Sequence, residues 1–214
     1  MVAAQTPELT SVSVVKRTAR RRRARRRRSP GEARDEALAS ARKLLLQHGP
    51  SGMTLVTVAD DIGMTHGNLI HHFGSAAELQ SALMGAMVRD LAEAIGTAVA
   101  HVRSDVGAPR ALIDIVFDAF DEGGAGMLAA WIALSNKHAH LEPVRAAVGD
   151  LVRAIDERST SGGAPRPRHI QSAILFITLC AFGDAVVGPQ LRPMLGRDSD
   201  SVRRVAARLL PSFF

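Results

Sequence analysis

Apolar residues recur along this chain at steps of three and four positions rather than two. Between about 31 and 48, for example, Ala37, Ala41, Leu44 and Leu45 return to one face of a helix. This spacing is typical of amphipathic helices, whereas half-buried strands alternate apolar and polar residues. We therefore predict an all-α fold of about nine helices.

Glycine, proline and capping residues mark where the predicted helices begin and end. Ser29-Pro30 suits a helix start, and Ser75 with Glu78 three residues later forms a capping box that opens a long helix. After the first helix, further helices are expected at about 55–62, 66–72, 75–101, 109–120, 126–137, 142–156, 168–187 and 199–210.

Residues 54–73 have the pattern of a helix-turn-helix motif: a short helix, a turn with glycine, and a second helix with a small and polar outer face. The same spacing also occurs in ordinary helical corners. The residues expected to face inward are Val58, Ala59, Ile62, Leu69 and Phe73. Asparagine can pair with adenine, threonine can meet a phosphate or a thymine methyl, and glycine allows close approach to the groove. The residues expected to contact DNA are Thr54, Thr65, His66, Gly67, Asn68, His71 and Ser75.

The basic residues are concentrated at the N-terminus. Residues 1–28 carry ten Lys and Arg against one acidic residue, whereas residues 29–214 carry 17 basic and 20 acidic residues. A low-complexity segment of this charge density is expected to be a disordered arm. The asymmetry favours nucleic acid or an anionic membrane as partner. Because few apolar residues interrupt the charges, duplex DNA is favoured over a membrane surface.

Between about residues 33 and 85 the chain resembles the N-terminal domain of the TetR (tetracycline-repressor-like) transcriptional regulators. The matching residues are Val58-Ala59, Gly63-Met64-Thr65, Gly67, Leu69, His72-Phe73, Ser75 and Glu78-Leu79. The resemblance implies a repressor whose N-terminal domain binds a palindromic operator on double-stranded DNA. It also implies a larger helical domain for homodimerisation and for an unknown small-molecule effector.

Two positions depart from the family pattern, and both remove common contacts to the DNA backbone. Ile70 stands where Tyr or Phe is usual and Ala76 where Lys is usual, and no basic residue occurs between Lys43 and Arg89. We therefore expect the arm to neutralise most phosphates. The alternative is a solvated tail that adds only non-specific attraction. The cations expected at the DNA backbone include Arg25, Arg26, Arg27 and Arg28 of the arm, assisted by Arg34, Arg42 and Lys43.

Three regions are expected: a disordered basic arm (1–28), a helix-turn-helix domain (29–80) and a helical effector-binding and dimerisation domain (81–214). The helix at 168–187 is apolar on every face. That is expected where one face packs within the protomer and another against a second copy, although a central core helix in a monomer is the alternative. The residues expected at the dimer interface are Ser172, Ala173, Ala181, Gly183, Asp184, Arg203 and Leu209.

Large apolar and a few polar side chains of the same region are candidates for an effector pocket, with plain core packing as the alternative for each aromatic. A lone carboxylate in an apolar helix needs a partner, so Asp184 is expected to contact Arg192, a second subunit or a ligand. The pocket candidates are Phe117, Phe120, Met127, Trp131, Asn136, His138, Phe176 and Cys180.

The sequence does not favour an enzyme, a metal site or a cofactor. Walker, G-x-S-x-G and G-x-G-x-x-G motifs do not occur, and the histidines at 71–72 and 138–140 lack the spacing and acidic companion of a zinc site. The single cysteine excludes an internal disulfide, which favours a reducing, cytoplasmic location. The polar residues that follow the basic tract argue against an export signal, and Asp184 within the most apolar stretch argues against a membrane span.

Overall fold

A computed structural model shows helices and no strand in the residues it describes, which are 29–101, 108–135, 141–159 and 167–213. The all-α fold predicted from the apolar spacing is confirmed. The arm residues Arg25 to Arg28 and the pocket candidates Asn136 and His138 lie outside the described residues.

Ten α-helices and a final 3-10 helix lie in these ranges. α1 is broken at Gly49, whose φ is 72°, directly before Pro50, so the break expected after residue 48 is confirmed. The helices are α1 (Pro30–Gly52), α2 (Leu55–Asp61), α3 (His66–Phe73), α4 (Ala76–His101), α5 (Ala108–Phe120), α6 (Ala125–Leu134), α7 (Glu142–Ser159), α8 (Pro167–Val186), α9 (Gly188–Met194) and α10 (Ser201–Leu209), with the 3-10 helix at Leu210–Phe213.

The helix α9 differs from the expectation. Its seven residues include Pro189 and Pro193, and such a density of proline after a glycine indicates a turn rather than a helix. α9 makes an angle of 79° with the preceding part of α8. Arg192 of α9 reaches back to Asp184 of α8. This contact stabilises the corner between the two helices.

The ion pair at this corner is largely buried. Side-chain exposure is 7% for Asp184 and 17% for Arg192. Gly188 leaves the room they need, because a Cβ there would lie 2.5 Å from the nearest guanidinium nitrogen and 2.7 Å from the carboxylate. Of the partners that the sequence leaves open for Asp184, the structure shows Arg192.

In the described part of the chain, two apolar cores hold the helices together. The first core is formed by α1, α2, α3, α4 and α6. It contains Leu45, Leu69 and Leu128, each fully buried. The second joins α5, α8 and α10 around Ile113 and Phe117. The partly buried side chain of Phe120 packs against both cores. The proposed division at residue 80 stays a prediction.

Charged residues tie α5 to α10 and to the segment before it. Arg110 donates to Asp114 on its own helix at 2.8 Å and to Asp200 at 3.0 Å. From α10, Arg203 donates to Asp118 at 2.5 Å. Hydrogen bonding to Arg110 is the main reason that the pKa of Asp200 lies below its ordinary value.

Within the described ranges, no single helix has both the length and the apolarity to cross a membrane. The final part of α8 and α9 meet that test of length and composition only together, as the pair bent by 79°.

Candidate nucleic-acid interface

α3 packs into the first core through its apolar side, and its polar side is exposed to solvent. All five residues predicted to face inward are buried or partly buried, with Leu69 at 0% exposure and Phe73 at 5%. Between α2 and α3, Gly63 has φ = 64°, a left-handed conformation that makes the tight turn possible. The predicted outer residues are exposed; they are His66, Gly67, Asn68 and His71.

The three hydroxyl residues predicted to contact DNA begin helices. Thr65 accepts the Asn68 backbone N–H at 3.3 Å and so caps α3. Thr54 caps α2 in the same way through Thr57 at 3.1 Å. Ser75 accepts the Glu78 N–H at 3.2 Å at the start of α4, as its place in a capping box predicts. These hydroxyls orient the helices, and their contact with DNA stays a prediction.

The three cations outside the arm that are predicted at the DNA backbone contact other parts of the protein. Arg42 donates to Asp90 at 2.8 Å. Lys43 donates to Asp61 at 2.5 Å, and Ser40 donates to the same carboxylate at 2.8 Å. The Lys43 contact is the main cause that lowers the pKa of Asp61. Arg34 donates to the His72 carbonyl at 2.6 Å. The sequence could not reveal the pairings of Lys43 and Arg34, which join residues 18 and 38 positions apart.

Ile70, where the sequence departs from the family pattern, is a surface residue of α3. It is 43% exposed, one turn after Gly67 and beside His71. The signal that could have identified it is its spacing, because it falls between the inward positions 69 and 73 rather than on them. An apolar side chain on this face can contact a thymine methyl.

The described effector-pocket candidates differ in burial, and their role in a pocket stays a prediction. Phe117 is 2% exposed in the second core, whereas Met127 and Trp131 lie on the surface of α6 at 42% and 40% exposure. Phe120, Phe176 and Cys180 are partly buried against the second core, and burial raises the pKa of the Cys180 thiol. An open groove of about 570 Å³ lies between α1 and α4, lined by Leu38, Leu83 and Met87 among others. None of the predicted pocket residues borders that groove.

The predicted dimer residues divide into covered and accessible ones. Ala173 and Ala181 are 3% and 1% exposed in the protomer's own core, so they have no surface to offer a second copy. Likewise, Asp184 and Arg203 are paired within the protomer. Gly183 is partly buried, and Ser172 and Leu209 are exposed.

The exposed face of α8 carries larger residues than predicted. Leu175 and Leu179 are 61% and 59% exposed, one helical turn apart. On α10, which packs against α8, Val205 is 54% and Leu209 is 44% exposed. A sequence that is apolar all round does not reveal which face remains open.

No group of three or more His, Cys, Asp or Glu side chains in the described part of the chain is arranged to hold a metal ion.

The turn at Gly63 joins α2 to α3, and the outer face of α3 is exposed to solvent. This arrangement is that of a helix-turn-helix protein.

Residues 37–83 match the family model of the bacterial regulatory proteins, tetR family. This match covers the helix-turn-helix segment, so that part of the chain resembles the DNA-binding domain of tetR-family regulators. No curated protein matches the chain.

Solved structures share the fold at low sequence identity. The fatty acid degradation regulator FadR from Bacillus halodurans gives a TM-score of 0.60 at 12% identity, over 86% of this chain and 96% of that one. The multidrug binding protein EbrR complexed with ethidium gives 0.58 at 17% identity, over 83% and 98%. Thermus thermophilus FadR, a TetR family repressor in complex with lauroyl-CoA, gives 0.57 at 19% identity, over 83% and 92%.

Proposed function

We propose that this protein is a sequence-specific DNA-binding regulator that represses from a palindromic operator until a small-molecule effector releases it. The observation that carries the proposal is the outer face of α3, exposed along its length while its inner face is locked into the core. A recognition helix held in this way can enter the major groove and meet base edges. The residues assigned to base contact are His66, Gly67, Asn68 and His71.

The arm at residues 1–28 is assigned most of the phosphate neutralisation. Residues 34–80, called the head from here on, contain three basic and five acidic side chains. All three cations contact other parts of the protein: Arg34 the His72 carbonyl, Lys43 Asp61, and Arg42 Asp90. Such a surface offers a polyanion little attraction, whereas ten basic residues in the arm offer a great deal.

A homodimer would place two heads on the two halves of a palindrome, about one DNA turn apart. The accessible face of α8 and α10 supports this, because four large apolar residues stand exposed on two helices that pack together. We assign the interface to Leu175, Leu179, Val205 and Leu209, with Ser172 at its edge.

The effector is proposed by family analogy. Among the proteins with this fold, the EbrR structure holds ethidium and the Thermus FadR structure holds lauroyl-CoA. An effector of this chain would act by binding one of two dimer shapes more tightly and so changing the spacing of the heads.

In vitro selection from random duplexes tests the proposal. The wild-type chain should enrich a palindromic sequence, and the double variant His66→Ala with Asn68→Ala should lose preference by about tenfold or more at the contacted base pairs. His48→Ala is the matched control, because it removes an exposed histidine on α1 rather than α3. Equal wild-type affinity for every duplex, or a double variant that selects the same sequence, would overturn the proposal.

A further inference from the structure

Arg34 holds the C-terminal end of α3 against α1 through two contacts. Its guanidinium donates to the backbone carbonyl of His72 at 2.6 Å. The same group lies over the ring of Phe73, with 4.3 Å between the Arg34 Cζ and the ring centroid. His72 and Phe73 are the last two residues of α3, so both contacts act at one point of the helix.

The end of α3 needs such a partner. The last four carbonyls of a helix have no acceptor role within it, and the His72 carbonyl is one of them. α3 has eight residues and is roughly 12 Å long, so it needs contacts with the rest of the protein to be stable and to keep its orientation. At its other end the Thr65 hydroxyl caps the Asn68 N–H. The buried side chains of Leu69 and Phe73 anchor α3 in the core, and the contacts of Arg34 hold the position of its C-terminal end.

We propose that Arg34 is a positioning residue rather than a phosphate-binding one: it sets the angle at which α3 presents His66 and Asn68 to base pairs. The inference rests on the proposed function. Recognition tolerates an error of about 10–20° in such a group, so a helix released at one end loses discrimination between sequences. Because the Arg34 cation already contacts the His72 carbonyl and the Phe73 ring, we expect the phosphate contacts of the protein not to depend on Arg34.

The test compares Arg34→Met with Arg42→Met in the full-length chain. Both variants remove one guanidinium from α1 and keep an apolar stem, but Arg42 faces Asp90 of α4 at 2.8 Å instead of α3. Affinities are measured for the duplex selected by the wild type and for a scrambled duplex, each over a range of salt concentrations. Arg34→Met should lower the ratio of specific to non-specific affinity by roughly tenfold, since the hydrogen bond that it removes involves a charged donor. The slope of log affinity against log salt should match that of Arg42→Met.

A phosphate role predicts the opposite pattern. Both affinities would then fall in parallel, and the salt slope would fall by about 0.9 more for Arg34→Met than for the control. Arg34→Lys separates the roles further. If residue 34 binds a phosphate, Arg34→Lys restores the full salt slope, because the charge is kept. If the planar guanidinium positions α3, Arg34→Lys restores discrimination between duplexes only in part. Parallel loss, or full discrimination in Arg34→Met, would overturn the inference.

Hydrogen exchange without DNA tests the clamp independently of the function. The amides of Phe73 and Gly74, at the end of α3, should exchange about tenfold faster in Arg34→Met than in Arg42→Met. Unchanged exchange would overturn the inference even if the protein binds its operator as proposed. A wild-type chain without sequence preference would overturn the proposed function and the inference with it.

Discussion

Gly67, the second residue of α3, has a conformation and surroundings that do not require glycine. A Cβ there would meet no heavy atom within 4 Å, and its φ is not among the positive ones. Glycine inside a helix destabilises by roughly 0.5–1 kcal/mol relative to alanine. We predict that Gly67→Ala raises the free energy of unfolding by up to about this amount, measured in urea. It should also weaken binding to the selected duplex, because the added methyl stands on the face assigned to the groove.

Gly63 provides the control at the same scale. A Cβ at this position is equally free of neighbours, but φ is 64°, so Gly63→Ala should destabilise by about 1–2 kcal/mol. An alanine at 67 that leaves both stability and operator affinity unchanged would contradict the assignment of Gly67 to the interface.

At the scale of elements, the sequence predicts what short-range patterns control. The caps Thr54, Thr65 and Ser75 and the inward spacing of Leu69 and Phe73 locate α2 to α4, because each signal lies within a few residues of its effect. Partners distant in sequence are invisible to such patterns. The acceptors of Arg34 and Lys43, and the corner that makes α9 a helix, depend on packing that only the folded chain provides.

The α8–α9 corner yields a stability prediction. Asp184→Leu would leave Arg192 without its carboxylate in a site where only 17% of its side chain is exposed, and removing one partner of a buried pair costs about 3 kcal/mol. Adding Arg192→Met to that variant should recover most of this stability, since no charge is then stranded. Urea unfolding of the three proteins measures the coupling, and strictly additive effects would argue against it.

The carboxylates before α10 predict sensitivity to acid. Hydrogen bonds from Arg110 and Arg204 hold the pKa values of Asp200 and Asp198 below their ordinary value of about 3.9. A lowered folded-state pKa stabilises fully above the unfolded value, and this stabilisation disappears as the pH falls through the folded one. The Asp200→Asn variant should therefore be less stable than the wild type at pH 6, and the difference should shrink below about pH 4. A difference that stays constant between pH 6 and 3 in urea unfolding would contradict this.

At the scale of the whole molecule, deletion of residues 1–28 separates phosphate neutralisation from base recognition. If the arm neutralises most phosphates, the deletion should flatten the slope of log affinity against log salt by about 0.9 for each phosphate that the arm neutralises. The base preference found by selection should persist, because α3 is unchanged. An unchanged slope would show instead that the arm is a solvated tail.

The second prediction at this scale concerns assembly. Leu175→Glu combined with Leu179→Glu should convert the proposed dimer to a monomer, because two charges would be buried on the apolar face of α8. Leu134→Glu is the control, since this leucine is 86% exposed and belongs to α6 rather than α8. Sedimentation velocity distinguishes the states, and a dimer that survives the double variant would place the interface elsewhere.

The crowding around Gly188 has a consequence for how this sequence can change over generations. A side chain at 188 has to shift the Asp184–Arg192 pair, and the removal of either charge strands the other, so the three positions are coupled. Descendants of this chain should therefore keep all three residues or exchange them jointly, while nearby surface positions drift one at a time.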